Sequence, residues 1–532
     1  MSAVDVAAAE GRIGLPAPIA ELAGRDWDAV VVGGGHNGLT AAAYLARAGR
    51  SVLVLERREQ LGGACTLERP FADQRFVISP CAYVVGLLDP LVIHELELER
   101  HGYRVVPADP NLWCPLPDGS SFAEFLDDEV TAAHMRENGF SESDIRGLFD
   151  YEDVFDRIRR LLRHGAGGDA WQAPSPDRAE IEARLGGDPE LVSIVFEESI
   201  ADTVQRYVED ERLVHALFGQ GVIAAYAGPR DPGTASVKLM HSQGDLLGHG
   251  SVWGYVEGGI GRVSFAIAEA AIEAGATIAT GVPVSTIEPG EGVRIESGEL
   301  IRSPVVVSNA DPKRVLAMLD DDALPADYRR RLEDWDVRSP VVKLNAALDR
   351  PPSFAAAGSV EPQRAMVTIT PGLDACQEAF EACRRGEPRI GFAELYFQST
   401  YDTSVAPPGE HVMSVFAQYA PYGLQGGWES RRDEVADLIL DQVAAYAPDV
   451  RDCVVELEVL GPPDIEARIG LSGGHIFQGQ ALPGQMWDRR LSSRTPVEGF
   501  YLCGAATHPA GSVIALNGRN AAIAVLEDTR VQ

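Results

Sequence analysis

The chain has seven cysteines, Cys65, Cys81, Cys114, Cys376, Cys383, Cys453 and Cys503, and no two stand in CxxC spacing. An odd count without close pairs excludes a disulfide scaffold and a zinc ribbon, and it removes the vicinal dithiol of a disulfide reductase. Free thiols fit a reducing compartment. HExxH and comparable histidine clusters are missing, so no metal site is expected. Basic residues are short: 46 Lys and Arg stand against 79 Asp and Glu, a net charge of −33. That balance excludes nucleic acid as a partner and repels anionic lipid. No apolar run reaches the ~18–20 residues of a membrane span. Residues 1–26 include Asp5 and Glu10 and lack both the basic start and apolar core of a secretory signal and the arginines of a transit peptide. A cytoplasmic protein is expected, with peripheral membrane contact left open and the oligomeric state unread.

What the sequence does hold begins at Asp28. The apolar run Ala29–Val32 reads as a buried parallel strand, and Gly33, Gly35 and Gly38 follow it as GxGxxG. In that pattern the first glycine permits a tight turn, the second lets backbone approach a pyrophosphate, and the third lets a helix pack on the strand. An alanine-rich helix over Leu39–Ala48, ended by Gly49, turns its N-terminal amides and dipole toward the phosphates. His36 and Asn37 lie inside this turn and join the cofactor-binding set. A second strand, Ser51–Leu55, ends at Glu56, 23 residues after Gly33. A carboxylate there accepts hydrogen bonds from ribose hydroxyls and repels a 2′-phosphate. A lone GxGxxG is weak evidence, whereas strand, glycines, helix, second strand and acid in order are strong. Arg57 follows Glu56, and Gly62 and Gly63 come six and seven residues after the acid. This pair sets a second flexible backbone segment beside the cofactor, absent from the minimal NAD unit, and points to FAD. Taken alone it also fits a plain loop.

At 532 residues two or more domains are expected. Residues 251–310 read as a helix (Val263–Ala274) and strands at Thr277–Ala279, Pro283–Ile287 and Val305–Val307. Residues 499–527 read as a strand (Phe500–Cys503), a glycine-rich turn and a helix from about Arg519. Between these lie an amphipathic stretch at 125–220, with Phe196, Ile200, Val204 and Val208 at helical spacing, a surface loop at Gly165–Pro176, and strand-like runs Val341–Leu348 and His411–Phe416. The expected fold class is α/β. A Rossmann-like, glutathione-reductase-like FAD-binding domain is assembled from 27–105, 250–315 and 490–530. An α+β substrate or lid domain is formed by the insertions 106–249 and 316–489, and 1–26 is an N-terminal extension.

Three blocks carry a resemblance. Val30–Gly63, Gly250–Gly261 (with Trp253 and Tyr255) and Phe500–Pro509 with Gly518–Ala522 resemble the FAD-dependent phytoene dehydrogenase and carotenoid isomerase group, within the amine-oxidase-like flavoproteins. The nearest subgroup is the one that carries the name pyridine nucleotide-disulfide oxidoreductase domain-containing protein 2, an activity the absent CxxC argues against. The resemblance spans about residues 28–527. It implies that Gly33, Gly35 and Gly38 meet the pyrophosphate, Glu56 the adenosine ribose, and Gly62 and Gly63 the ribityl–phosphate region. It implies that Val284 contacts adenine through its backbone, that Gly504 and Ala505 approach the pyrophosphate and ribityl chain, and that the turn Gly511–Val513, with Ser512, runs along the flavin ring. Val284 is equally a plain core strand residue. The chain departs from the group at Ser512, Ala515 and Asn517, where small or rigid residues are usual. Those positions are expected to tune substrate access rather than FAD binding, unless Asn517 caps the helix.

The expected function is FAD-dependent dehydrogenation, that is desaturation, of a small apolar or amphipathic, partly oxygenated substrate by hydride transfer to flavin N5. Oxygen or a quinone stands open as electron acceptor. Redox-neutral polyene isomerisation, amine oxidation and a non-catalytic flavin-carrying role are the alternatives. His508, in the C-terminal turn, is the candidate acid/base, although a His-Pro at such a turn is more often structural. Trp253 and Tyr255 are candidates for the substrate side, and Tyr396, Tyr401, Tyr419 and Tyr422 for an aromatic wall.

Overall fold

The computed structural model describes residues 11–530. At its centre is a five-stranded parallel sheet in the order Phe500–Leu502, Val306–Ser308, Ala29–Val32, Val52–Glu56, Thr277–Thr280. The two inner strands Ala29–Val32 and Val52–Glu56 are buried along their whole length, which is why they read as unbroken apolar runs. Their side chains alternate between two cores. Ala29, Val31, Val52 and Val54 join one with the helix His36–Arg47. Val30, Val32, Leu53 and Leu55 join another with Ile287, Val293, Ile295 and Ile301 of the antiparallel strands Val284–Glu288, Gly292–Ile295 and Leu300–Arg302. The helices Gly261–Glu273 and Leu516–Asp528 flank His36–Arg47 on the first face. Residues 11–26 lie against this half, with the Gly11 carbonyl accepting from Leu61 at 3.1 Å and Gly14 N–H donating to the Thr280 hydroxyl at 2.7 Å. Residues 1–10 of the expected extension lie outside the described residues.

A second sheet has seven strands in the order Val454–Leu460, Val341–Leu348, His411–Gln418, Phe392–Tyr396, Met366–Ile369, Leu112–Pro115, Ser121–Glu124. All neighbours run antiparallel except Met366–Ile369 beside Leu112–Pro115. One face is dry: Val342, Leu344, Val415, Ala393 and Leu395 pack against Val435, Ile439 and Val443 of the helix Trp428–Ala444. The other face carries Lys343, Asn345, Ser414, Phe416, Glu394 and Tyr396 and turns toward the first core.

Several local expectations need correction. The helix after the glycine turn starts at His36, and the last helix at Leu516. The periodic run from Phe196 to Val208 is two helices, Pro189–Phe196 and Ile200–Tyr207, because the Ser199 hydroxyl accepts from Asp202 N–H at 3.0 Å and caps a new start. The stretch 165–176 is irregular but not a free surface loop. Its Trp171 is buried, and Asp169 pairs with Arg163 at 2.7 Å.

Gly518 fixes how closely the last helix crosses the first. A Cβ there would stand 2.1 Å from the Asn37 carbonyl oxygen, so any side chain forces the helices apart. Gly518→Ala is expected to destabilise the protein by about 1–3 kcal/mol and to loosen FAD at the same time. Thermal unfolding and FAD titration would check this, and unchanged values would show that the crossing yields freely.

Candidate active site

The glycine turn is built from backbone meeting backbone. Gly33 has φ +101°, and its N–H donates to the Leu55 carbonyl at 2.8 Å. A Cβ on Gly38 would stand 2.1 Å from the Gly33 oxygen, and one on Gly35 2.7 Å from Asn309 Nδ2. Glu56, at the end of the second strand, accepts from Gly34 N–H at 2.7 Å and from Arg58 N–H at 2.8 Å. Burial raises its pKa, against the pull of these two amides. The Gly62 N–H donates to the Gly34 carbonyl at 2.8 Å, which lays the Gly62–Gly63 turn on the first one.

These residues open onto one cavity of about 2010 Å³, counting its mouth. Gly33, Gly35, His36, Asn37, Glu56, Arg57, Gly62, Gly63, Val284, Ala505, Ser512 and Val513 all line it. Gly38 and Gly504 stand just behind the wall. Gly504 has no room for a Cβ, which would meet Gln478 Oε1 at 2.6 Å and the Asn309 oxygen at 2.9 Å. Burial pushes His36 down to about 4, with a hydrogen bond to the Ser512 backbone pulling the other way, so the neutral ring ties the N-terminal turn to the C-terminal one. Ser512 has φ +113°, a conformation that glycine adopts more easily. The donor set fits a dinucleotide: backbone glycines where phosphates must approach, a helix N-terminus for their charge, a carboxylate where a ribose sits. His36 Nε2 and Asn37 Oδ1 are buried and lack a hydrogen-bond partner among the described residues.

The C-terminal wall is held by Arg490. It is buried, and its guanidinium donates to the carbonyls of Thr507 (3.1 Å), Gln480 (3.1 Å), Gln485 (3.1 Å), Phe477 (3.0 Å) and Ala505. Desolvation lowers its pKa to about 9. Asn517 Nδ2 donates to the carbonyls of Thr507 (2.9 Å) and Ala510 (3.1 Å) and staples the same turn.

Away from the glycines the cavity becomes aromatic: Tyr83, Trp253, Tyr396 and Phe477 line it together with Ile223 and Met366. The rings of Tyr83 and Tyr396 lie 4.2 Å apart. His241 Nδ1 donates to the Val237 carbonyl at 2.8 Å, and burial pushes its pKa down to about 4. The ring is neutral and its Nε2 is left as an acceptor. Glu394 also lines the cavity and accepts from the Tyr396 hydroxyl at 2.6 Å.

Several sequence candidates stand elsewhere. His508 is buried outside the cavity wall, where desolvation pushes it to about 4 against the backbone of Ala170 and Gln172. It is a packing residue beneath the 165–176 segment, not the acid/base of the cavity. Asn517 and Ala515 are buried behind the turn, so of the three departures Ser512 alone reaches the cavity. Tyr255 stacks on Tyr401 at 4.8 Å, the Tyr419 hydroxyl donates to the Ala227 carbonyl at 2.8 Å, and Tyr422 is exposed. From that proposed wall only Tyr396 lines the cavity. Sequence reasoning missed His241, Tyr83, Asn309, Gln478 and Glu394. A signal existed for Glu394 and Asn309: the first is an acid inside the apolar strand Phe392–Tyr396, and the second closes a parallel strand at the end where such sheets bind ligands.

Two family models match the chain. A NAD(P)-binding Rossmann-like domain covers residues 31–84, and the flavin containing amine oxidoreductase model covers residues 125–526. The chain belongs to the flavin-containing amine oxidoreductases, and FAD is its cofactor. It is 34% identical to the mouse (Mus musculus) pyridine nucleotide-disulfide oxidoreductase domain-containing protein 2, over 95% of this chain and 94% of that one. It is 26% identical to a carotenoid 3,4-desaturase of Haloarcula japonica, over 96% and 100%. A solved structure of a putrescine oxidase variant superposes with a TM-score of 0.62 at 16% identity, covering 94% of this chain and 98% of that one, and shows the shared fold.

Removing the Glu56 carboxylate takes away a charged acceptor worth about 1.5–3 kcal/mol, so Glu56→Ala should raise the FAD dissociation constant about 10- to 150-fold, and Glu56→Gln less. Titration of apo-protein would check this, and an unchanged constant in folded Glu56→Ala would remove Glu56 from the site. His508 yields a pH prediction. Folded, it stays neutral down to about 4; unfolded, it takes a proton near ~6.5. The stability it contributes is therefore present above about pH 6.5 and is lost as pH falls toward about 4. The unfolding midpoint of the holoenzyme should drop through that window, less steeply in His508→Phe with FAD content kept. A parallel drop in the variant would show that His508 takes no part.

Proposed function

We propose that this chain is an FAD-dependent oxidoreductase that dehydrogenates a largely apolar, partly oxygenated substrate. The observation that carries the reading is the continuity of one cavity from the dinucleotide turn at Gly33–Asn37 to the aromatic end at Tyr83, Trp253, Tyr396 and Phe477. The flavin, when bound, supplies the hydride acceptor. The chain supplies placement. Gly33, Gly35 and the first amides of the helix His36–Arg47 hold the pyrophosphate, with Gly38 behind them letting the helix come close. Glu56 takes the ribose and Val284 the adenine; Gly62, Gly63 and Ala505 follow the ribityl chain, backed by Gly504; Ser512 and Val513 lie along the ring. With FAD bound, the aromatic end would exclude water and orient the substrate's C–H toward the flavin. Ile223, His241, Met366, Glu394, Tyr396 and Phe477, which line this end, fall within segments 106–249 and 316–489, and this supports reading those segments as its substrate wall.

Two facts favour desaturation of an apolar molecule over amine oxidation. Most of the substrate end is apolar or aromatic, with His241 kept neutral by burial. A relative matching over its whole length is named for a carotenoid desaturation, whereas the putrescine oxidase likeness concerns the fold. The test is anaerobic mixing of holoenzyme with apolar olefins, alcohols and amines, read by bleaching of the flavin band. Stoichiometric bleaching by an apolar compound, reversed by oxygen or a quinone, is the expected result. Bleaching by amines alone would replace the reading with amine oxidation. Isomerisation after external reduction would make the chemistry redox-neutral. A silent flavin with a stable protein partner would leave a binding role.

A further inference from the structure

Glu394 and Tyr396 reach the cavity from the polar face of the seven-stranded sheet, and the register shows how the charges on that face are laid out. Lys343 and Glu394 both pair with Phe416 on the strand between them, so the three side chains form one row across the sheet. The next row on the same face is Asn345, Ser414, Tyr396. Lys343 is buried. Its Nζ lies 3.9 Å from the centre of the Tyr83 ring and donates to the Ser414 hydroxyl at 2.5 Å. Glu394 is 1% exposed. One of its oxygens accepts from Tyr396, while the other, Oε1, has no hydrogen-bond partner among the described residues.

A buried carboxyl oxygen without a partner is expensive, and this one belongs to a residue of the substrate cavity wall. The charge around it selects what fits. An anionic ligand would meet Glu394. Burial lowers the Lys343 pKa to about 7 while Glu394 pulls it up, so below neutrality an ammonium would bring a second cation toward Lys343, whose Nζ stands 3.9 Å from the Tyr83 ring centre. A neutral donor avoids both conflicts. We propose that Glu394 Oε1 accepts a hydrogen bond from a neutral hydroxyl on an otherwise apolar substrate, and so sets how far the substrate enters the cavity. This rests on the oxidoreductase reading above and names the substrate class within it. Burial also raises the Glu394 pKa to about 7. Near neutrality the group passes between acid and carboxylate, and a hydroxyl, which both donates and accepts, suits either form.

The test titrates the FAD holoenzyme at pH 6.5, below the Lys343 pKa of about 7, with decan-1-ol, 1-methoxynonane and decylamine, three probes of matched length, with dissociation constants read from the shift of the flavin absorbance band. The alcohol should bind about tenfold or more tightly than the ether, which accepts but does not donate, and more tightly than the amine. Glu394→Leu should bring the alcohol-to-ether ratio near one with FAD content unchanged. Glu394→Gln, which keeps a carbonyl acceptor, should retain part of the ratio and serves as the deciding variant should the leucine form fail to fold. Equal binding of alcohol and ether, tightest binding of the amine, or a ratio that survives in Glu394→Leu would each overturn the assignment. In those outcomes the flavin still responds to ligands and the oxidoreductase reading stands. No spectral response to any probe would overturn both.

Discussion

Arg490 is the interaction on which the C-terminal half of the site depends. A buried guanidinium is costly to desolvate, and here five backbone carbonyls, from Phe477, Gln480, Gln485, Ala505 and Thr507, converge on it. Two of those residues, Phe477 and Ala505, are cavity wall. The planar fork of arginine holds divergent acceptors in fixed directions, so one side chain sets the spacing of two irregular segments that share no regular secondary structure. Asn517 repeats the device on a smaller scale between Thr507 and Ala510.

The opposite wall is held by the absence of side chains. Gly38 sits on the Gly33 carbonyl and Gly518 on the Asn37 carbonyl, each at a distance that excludes a Cβ. These two contacts place the first helix against the first strand and the last helix against the first. A donor-rich arginine on one side and stripped backbone on the other fix the two walls of the cleft.

This contrast explains what was legible in the sequence. The nucleotide half was, because its requirements are local: a buried strand, glycines at fixed offsets and an acid at the next strand end follow one another within thirty-odd residues. Helix starts were misplaced by three residues because His36 is a poor predictor of a first turn whose amides serve a ligand. Of the substrate half only Trp253 and Tyr396 were legible. The residues missed, Tyr83, Ile223, His241, Met366, Glu394 and Phe477, come from loops, a helix and two strands far apart in the chain, and only the tertiary fold brings them together. His508 was attractive for its neighbourhood in sequence, yet the turn it occupies points it away from the cavity, while His241, in a helix with no motif around it, points in. Glu394 and Lys343 did leave a trace, as charges interrupting apolar strands, but one sequence does not show that both face Phe416.

The strand order of the parallel sheet also bears on how the protein is made. The strand Phe500–Leu502 pairs with Val306–Ser308, and the helix Leu516–Asp528 lies on the helix His36–Arg47, so the first and last stretches of the chain are neighbours. Ribosomes release roughly 5–20 residues per second. The glycine turn is therefore made on the order of a minute before residues 500–528 supply its second wall. For most of its synthesis the chain carries half a cradle with its apolar rear uncovered. FAD capture in this sense waits for the segment 500–528, and a polypeptide that stops before it has no second wall for its cofactor.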